Sequence, residues 1–229
     1  MKKFLVLGML AGAVTLTSCN SIGGKTPHSE ADSLAYAFGT DLGHSMKMMD
    51  STINVSMLAS ALEDVLHNKG AMTLEDAHAF LNEYFSVRKP AKTLQESEDF
   101  LAGIEKKSGV QKTESGLLYE IIEEGGMKAT SNADTVVVIY TGTTPSGVVF
   151  DSTENHGTEN DRFTLNGVIP AWTEGMKLVG KGGKVKLYAH PDLAYGARGA
   201  GQMIGPNQAL VFEVEVVDVL PAAVEEDAE

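Results

Sequence analysis

Apolar positions along this chain repeat with two periods, and the change from one to the other falls near Gly109. Before it the period is helical. Leu34, Phe38, Leu42 and Met46 fall four residues apart and line one helical stripe. A second helix is predicted to start with Ser56 as its cap, to bury Leu58, Leu62, Val65 and Leu66, and to stop near Asn68-Lys69-Gly70. Thr73-Leu74-Glu75-Asp76 opens a third, with Leu74, Ala77, Phe80, Leu81 and Tyr84 facing inward. Pro90 should interrupt that helix, because proline has no amide donor and its ring clashes with the preceding turn. Thr93-Leu94-Gln95-Glu96 then reads as a capping box for a fourth helix, which carries Phe100, Leu101 and Ile104 and ends near Ser108-Gly109.

After Gly109 the period is two. Residues 117–122 form a short apolar run, and Thr135-Val136-Val137-Val138-Ile139-Tyr140 is dense in β-branched side chains. Residues 184–188 alternate polar with apolar. Residues 208–219 alternate too, with Leu210, Phe212, Val214 and Val216 on one parity. A single short helical stretch, residues 171–177, lies among these runs. Mostly antiparallel strands with one helix imply a curved sheet wrapped over that helix. The expected fold class is therefore α+β: a curved antiparallel sheet over one short helix, preceded by a small all-α N-terminal domain.

The chain has 229 residues, enough for two modest domains. With 43% hydrophobic and 21% charged residues it can build real cores, which excludes global disorder. A net charge of −13 argues against nucleic acid, whose phosphates reward basic patches. Lys2 and Lys3 followed by an apolar run to Thr17 read as an export signal, residues 1–18, too short and too rich in Gly and Ala to serve as a membrane span. Removing it takes away two lysines and no acid, so the charge moves from −13 to −15. The run ends in Leu16-Thr17-Ser18-Cys19, which resembles the bacterial lipobox. Cys19 is the chain's only cysteine and has no disulfide partner, so lipidation explains its presence. Residues 19–29 are small and polar, a flexible tether. The expected anchor is lipid alone. Residues 222–229 form an acidic, solvated tail. Between them the expected domains are residues 30–109, helical, and residues 110–221, the sheet. Met46, Met48, Met49, Met57 and Met72 in the helical part suit core filling or an adaptable contact surface.

Several separated motifs carry the chemistry: Tyr140-Thr141-Gly142, Phe150-Asp151-Ser152, Val168-Ile169-Pro170-Ala171-Trp172-Thr173-Glu174-Gly175, Ala194-Tyr195-Gly196 and Leu210-Val211-Phe212. In this order and spacing they resemble the signature of the FKBP-type peptidyl-prolyl cis-trans isomerases. Taken singly, a Trp or Phe in a β domain is more often core than site, and a lone Asp is a turn residue. Together, the resemblance implies an apolar pocket. Trp172 would be its floor, Tyr140, Phe150 and Phe212 its walls, and Phe163, Val168, Ile169 and Ile204 further substrate contacts. Tyr195 would stand at the rim and Asp151 would be the one acidic group. It also implies that the Ile169 amide donates to a bound carbonyl, and that a macrolide could enter the pocket. Twisting an X–Pro amide needs no nucleophile, metal or cofactor.

The chain departs from the family pattern in places. Ala200 stands where His is frequent, Gly205 where Pro is, Ala171 where Gly is and His190 where Pro is. The segment after Asp151 is slightly longer than in the smallest members, and the sequence does not decide whether Arg162 pairs with Asp151. Residues 175–181 mimic a phosphate-binding loop, but Gly182 stands where Ser or Thr should hold magnesium. The six histidines show no ligand spacing.

Ser33-Leu34-Ala35-Tyr36-Ala37-Phe38-Gly39 and Asp41-Leu42-Gly43 resemble the N-terminal region of bacterial isomerases typified by the macrophage infectivity potentiator. That resemblance implies a homodimer. The expected protein is a lipid-anchored isomerase at the cell envelope, at the outer membrane facing the periplasm, acting on X–Pro bonds of exported polypeptides. The rival is a dimeric holdase chaperone or peptide-binding module with a weak site.

Overall fold

Helix caps and chain breaks set the N-terminal architecture. The computed structural model describes residues 25–49 and 52–222. The expected export signal, Cys19, most of the expected tether, the side chains of Met48 and Met49, and residues 223–229 lie outside the described residues. The chain divides into two compact units, Met1–Ala71 and Met72–Glu229.

The first unit holds α1 (Glu30–Met49) and α2 (Val55–Leu66). The cap of α2 is Asn54, not Ser56. Asn54 has extended backbone angles, as a cap requires, and its side chain accepts from the Met57 amide at 3.1 Å, while Ser56 already lies inside the helix. The helix ends where expected. His67 closes it, and Asn68 takes the left-handed conformation, φ 57°, that asparagine tolerates. Leu42 and Met46 of α1 face Val55, Leu58 and Leu62 of α2 across an apolar groove of about 350 Å³.

The second unit begins with α3 (Leu74–Glu83), capped by Thr73, whose hydroxyl accepts from the Asp76 amide. Pro90 does not break the helix that follows. A π-helical segment (Tyr84–Arg88) passes directly into α4 (Lys89–Glu105), with Pro90 in its first turn. The wider turn accommodates the proline's missing donor and its ring. The Lys89 amide donates five residues back, to the Tyr84 carbonyl. Thr93 is therefore no cap. It sits mid-helix and its hydroxyl donates to the Lys89 carbonyl at 3.0 Å.

The strands are β1 (Gln111–Lys112), β2 (Leu118–Glu123), β3 (Thr135–Thr143), β4 (Val149–Ser152), β5 (Asp161–Thr164), β6 (Lys184–Ala189) and β7 (Leu210–Leu220). They form one antiparallel sheet in the order β1-β2-β6-β7-β3-β4, with β5 also paired to β3. β3 thus has two partners along one edge. Its first half takes β5, and its second half takes β4. α5 (Thr153–His156) is a single turn between those two strands, and α6 (Pro170–Gly175) lies on the concave face.

Alternation decides which residues meet α6. Val136, Val138 and Tyr140 from β3, Val185 and Leu187 from β6, and Leu210, Phe212, Val214 and Val216 from β7 bury with Trp172 and Met176. Between the pairs Val137–Asp218 and Val138–Val216, β7 carries one extra residue, Val217, and this bulge brings Val219 into the same core on the opposite parity. Gly175 must be small, because a Cβ there would overlap the Leu187 side chain. The opposite face of the sheet is covered by α4. Leu101 and Ile104 bury there with Leu118, Tyr188, Ala209 and Val211. No helix among the described residues is long and apolar enough to cross a membrane.

Candidate active site

Proline at the first position of α6 and the extended Ile169 before it start the helix sharply. That turn aims Trp172 down at the sheet, where it is only 4% exposed. Three rings meet the indole edge to face: Tyr140 at 5.0 Å, Phe163 at 5.3 Å and Phe212 at 5.6 Å. Phe150 stands edge-on to Phe212 at 5.7 Å. Such perpendicular pairs put positive ring edges on negative faces and hold the cage rigid. Gly142 makes the cage possible. It lies opposite Phe212 in the sheet, and a Cβ on it would come within 2.6 Å of the Phe150 ring and 3.2 Å of Phe212.

The cage surrounds a cavity of about 290 Å³, completed by Val168, Ile169 and Gly167 below and by Tyr195 and Asp151 at the mouth. The Trp172 indole N–H is buried and donates to nothing among the described residues. Asp151 is fixed from two sides. The Tyr140 hydroxyl donates to its Oδ2 at 2.6 Å, and His156 Nε2 lies 3.0 Å from its Oδ1. His156 reaches back because α5 is capped by Ser152, which accepts from the Asn155 amide, and is ended by Gly157 at φ 69°. Its other nitrogen, Nδ1, is 3.1 Å from Asp161 Oδ2.

Burial, and then the bond to Asp151, push the Tyr140 phenol well above its usual range. Burial, then the charge of Asp151, raise Tyr195 as well. Both tyrosines therefore stay protonated, and Tyr140 donates to Asp151. Arg162 is not the partner of Asp151. It lies opposite Val137, on the face away from Phe163, and its charge is felt by Asp218.

Residues 126–217 match the family model described as FKBP-type peptidyl-prolyl cis-trans isomerase, and residues 31–121 match that of the domain amino-terminal to it. Over 97% of this chain and the whole of the relative, it is 32% identical to the "Outer membrane protein MIP" of Legionella longbeachae. The chain belongs to the FKBP-type peptidyl-prolyl cis-trans isomerases. It is 39% identical to a probable isomerase of this type from Haemophilus influenzae, over 82% of this chain and 84% of that one. Among solved structures it resembles FkpA from Escherichia coli, with a TM-score of 0.59 and 32% identity over 85% of this chain and 99% of that chain.

In this FKBP-type isomerase the motif residues named from sequence converge on the cavity, except Ile204. That residue does not line the cavity; it is 8% exposed and buries in the same cluster as Tyr140, Trp172 and Phe212. Ala200 and Ile204 exchange backbone hydrogen bonds, 2.9 and 3.2 Å, which close the loop between them. Tyr195, at the cavity mouth, is 39% exposed. The base of the loop that follows it, a flap over residues 196–207, is held by α4. Ser97 donates to the Asn207 carbonyl at 2.9 Å and accepts from the Ala209 amide at 2.8 Å. The Asn207 side chain donates to the Pro90 carbonyl. His156, Ser97 and Asn207 escaped the motif reading. The only sequence signal for His156 was the longer segment after Asp151, and for Ser97 a polar residue on the apolar stripe of α4.

Proposed function

We propose that this isomerase acts at the cell envelope on X–Pro bonds of exported polypeptides, held there by a lipid on Cys19, and that the prolyl ring is twisted inside the aromatic cavity. The observation that carries the site is the edge-to-face cage on Trp172 with a single carboxylate at its mouth. A planar amide is polar through resonance, and its rotation barrier is about 20 kcal/mol. The twisted amide has lost that resonance. A nearly apolar hollow solvates the twisted form better than the planar one, and that difference lowers the barrier. The Ile169 amide and the Tyr195 hydroxyl would hold the flanking carbonyls. Asp151, locked by Tyr140, orients its neighbours and need not move a proton.

The export signal, the Leu16-Thr17-Ser18-Cys19 motif and the full-length similarity to an outer membrane protein support the envelope location. Residues 19–29 would be the tether. The helical unit supports a homodimer: Leu34, Phe38, Val65 and Leu66 are all exposed, Leu66 to 81%. Those faces also favour a second reading, a holdase that grips unfolding clients and isomerises them slowly. A macrolide filling the cavity would compete with peptide.

The test is exchange of a short X–Pro peptide by the chain from Asn20 onward. Wild type should exceed the uncatalysed rate. Trp172→Leu, checked for folding, should lose roughly tenfold or more through misplacement of the prolyl ring. Tyr195→Phe should lose less. A folded wild type without acceleration would move the holdase reading to first place.

A further inference from the structure

Resting on the reading of the cavity as the isomerase site, we propose that His156, as an imidazolium, is a positioning residue that holds Asp151 at the cavity mouth. The isomerase then slows as His156 loses its proton. The ring lies between two carboxylates, with Nε2 3.0 Å from Asp151 and Nδ1 3.1 Å from Asp161. Carboxylates only accept, so each contact needs an N–H. A neutral imidazole has one N–H and one lone pair. It can serve one carboxylate and must turn the lone pair on the other. The doubly protonated ring serves both.

The other groups facing His156 add no cation. Tyr140, from β3, is edge-on to it at 6.2 Å and occupies the second oxygen of Asp151. Tyr195, from the segment after β6, is neutral and feels the charge of Asp151. Arg162 of β5 is turned to the other face. The hydrogen bond that the ring donates to Asp161 leads the causes that hold the imidazole above its ordinary 6.5, against some desolvation.

Exposure decides which bond lapses on deprotonation. The Asp161 side chain is 14% exposed and also accepts from Thr158 at 3.2 Å. The Asp151 side chain is 42% exposed, so water can replace its donor. The single proton stays with Asp161, and Asp151 is left on Tyr140 alone. Nothing in the amide rotation itself titrates near neutrality, so the pH profile isolates this contact.

The experiment measures kcat/KM for an uncharged X–Pro peptide between about pH 5.5 and about pH 8.5, where histidine titrates. Exchange is read by NMR, without a coupling protease, on wild type, His156→Arg, His156→Gln and Trp172→Leu. His156 is followed by its own ring signals. Wild type should fall about fivefold, the kinetic equivalent of about 1 kcal/mol, with the midpoint of the imidazole titration. His156→Arg, charged throughout, should carry the acid-side rate to alkaline pH, and His156→Gln should be flat and slower. An active wild type with a flat profile, or His156→Arg falling in parallel with wild type, overturns the role of His156. A folded Trp172→Leu enzyme at full rate would sink the cavity reading instead, and the two failures are distinct.

Discussion

Gly142 shows how much of the site depends on one missing methyl group. Its neighbours are the rings of Phe150 and Phe212, both walls of the cavity. Gly142→Ala should push Phe150 out of its edge-on contact and cost about 1–3 kcal/mol, the usual range for overpacking. A lowered urea midpoint, together with slower peptide exchange, would show it. An unchanged midpoint would mean that Phe150 moves freely, contrary to its packing.

His156 also links stability to pH. Its pKa is raised in the folded chain, first by the bond to Asp161. A raised folded value means the folded state binds the proton more tightly. The stabilisation is thus complete below the ordinary value of 6.5 and is lost as pH rises through the folded value. Against His156→Gln, the wild-type denaturation midpoint should stand highest on the acid side of neutrality, and the gap should close in alkali. A gap that widens in alkali would contradict the ion pairs.

At the scale of elements, α4 belongs with the sheet. Its Leu101 and Ile104 cover Leu118, Tyr188 and Val211, and each such side chain contributes about 2 kcal/mol when fully buried. A fragment starting at Met72 should therefore melt well above one starting at Val110. Equal melting temperatures would show that α4 packs only loosely. Ser97→Val strands the Asn207 carbonyl and the Ala209 amide, at a cost of about 1–3 kcal/mol for buried groups left unpaired. Because Asn207 ends the flap, that variant should also lose rate with flap-sensitive peptides, measured beside thermal stability. The misread capping box belongs to this scale too. Thr93 and Glu96 have the local pattern of a helix start, and whether Thr93 is a cap depends on the backbone before it, which the π-helical turn keeps helical.

At the scale of the whole molecule, the cavity lies wholly in the second unit, and the first exposes large apolar side chains. α1 and α2 leave a row of large apolar side chains in solvent, and such faces need a partner. The chain from Asn20 should run as a dimer in light scattering, and removal of residues 20–71 should give a monomer. That monomer should still isomerise short peptides, because the cavity is built entirely from residues 140–212. It should no longer protect an unfolding client. A monomeric full chain would leave the apolar faces to clients alone and strengthen the holdase reading.

Periodicity and motif spacing alone specify the fold class, the core-facing side of β7 from Leu210 to Val216, and the aromatic residues around the cavity. These follow from local periodicity and from motifs whose spacing is unmistakable: Leu210, Phe212, Val214 and Val216 face one way because alternate strand residues must. Tertiary structure decided what periodicity does not encode. The passage of the helix through Pro90 depended on a wider turn upstream of it. The closure of the loop between Ala200 and Ile204 depended on two backbone bonds. The partner of Asp151 became His156 rather than Arg162, because the register of β5 against β3 points Arg162 away while a single capped turn brings His156 back. In each case the deciding contact joins residues whose approach is set by the backbone path, and side-chain chemistry alone does not specify that path.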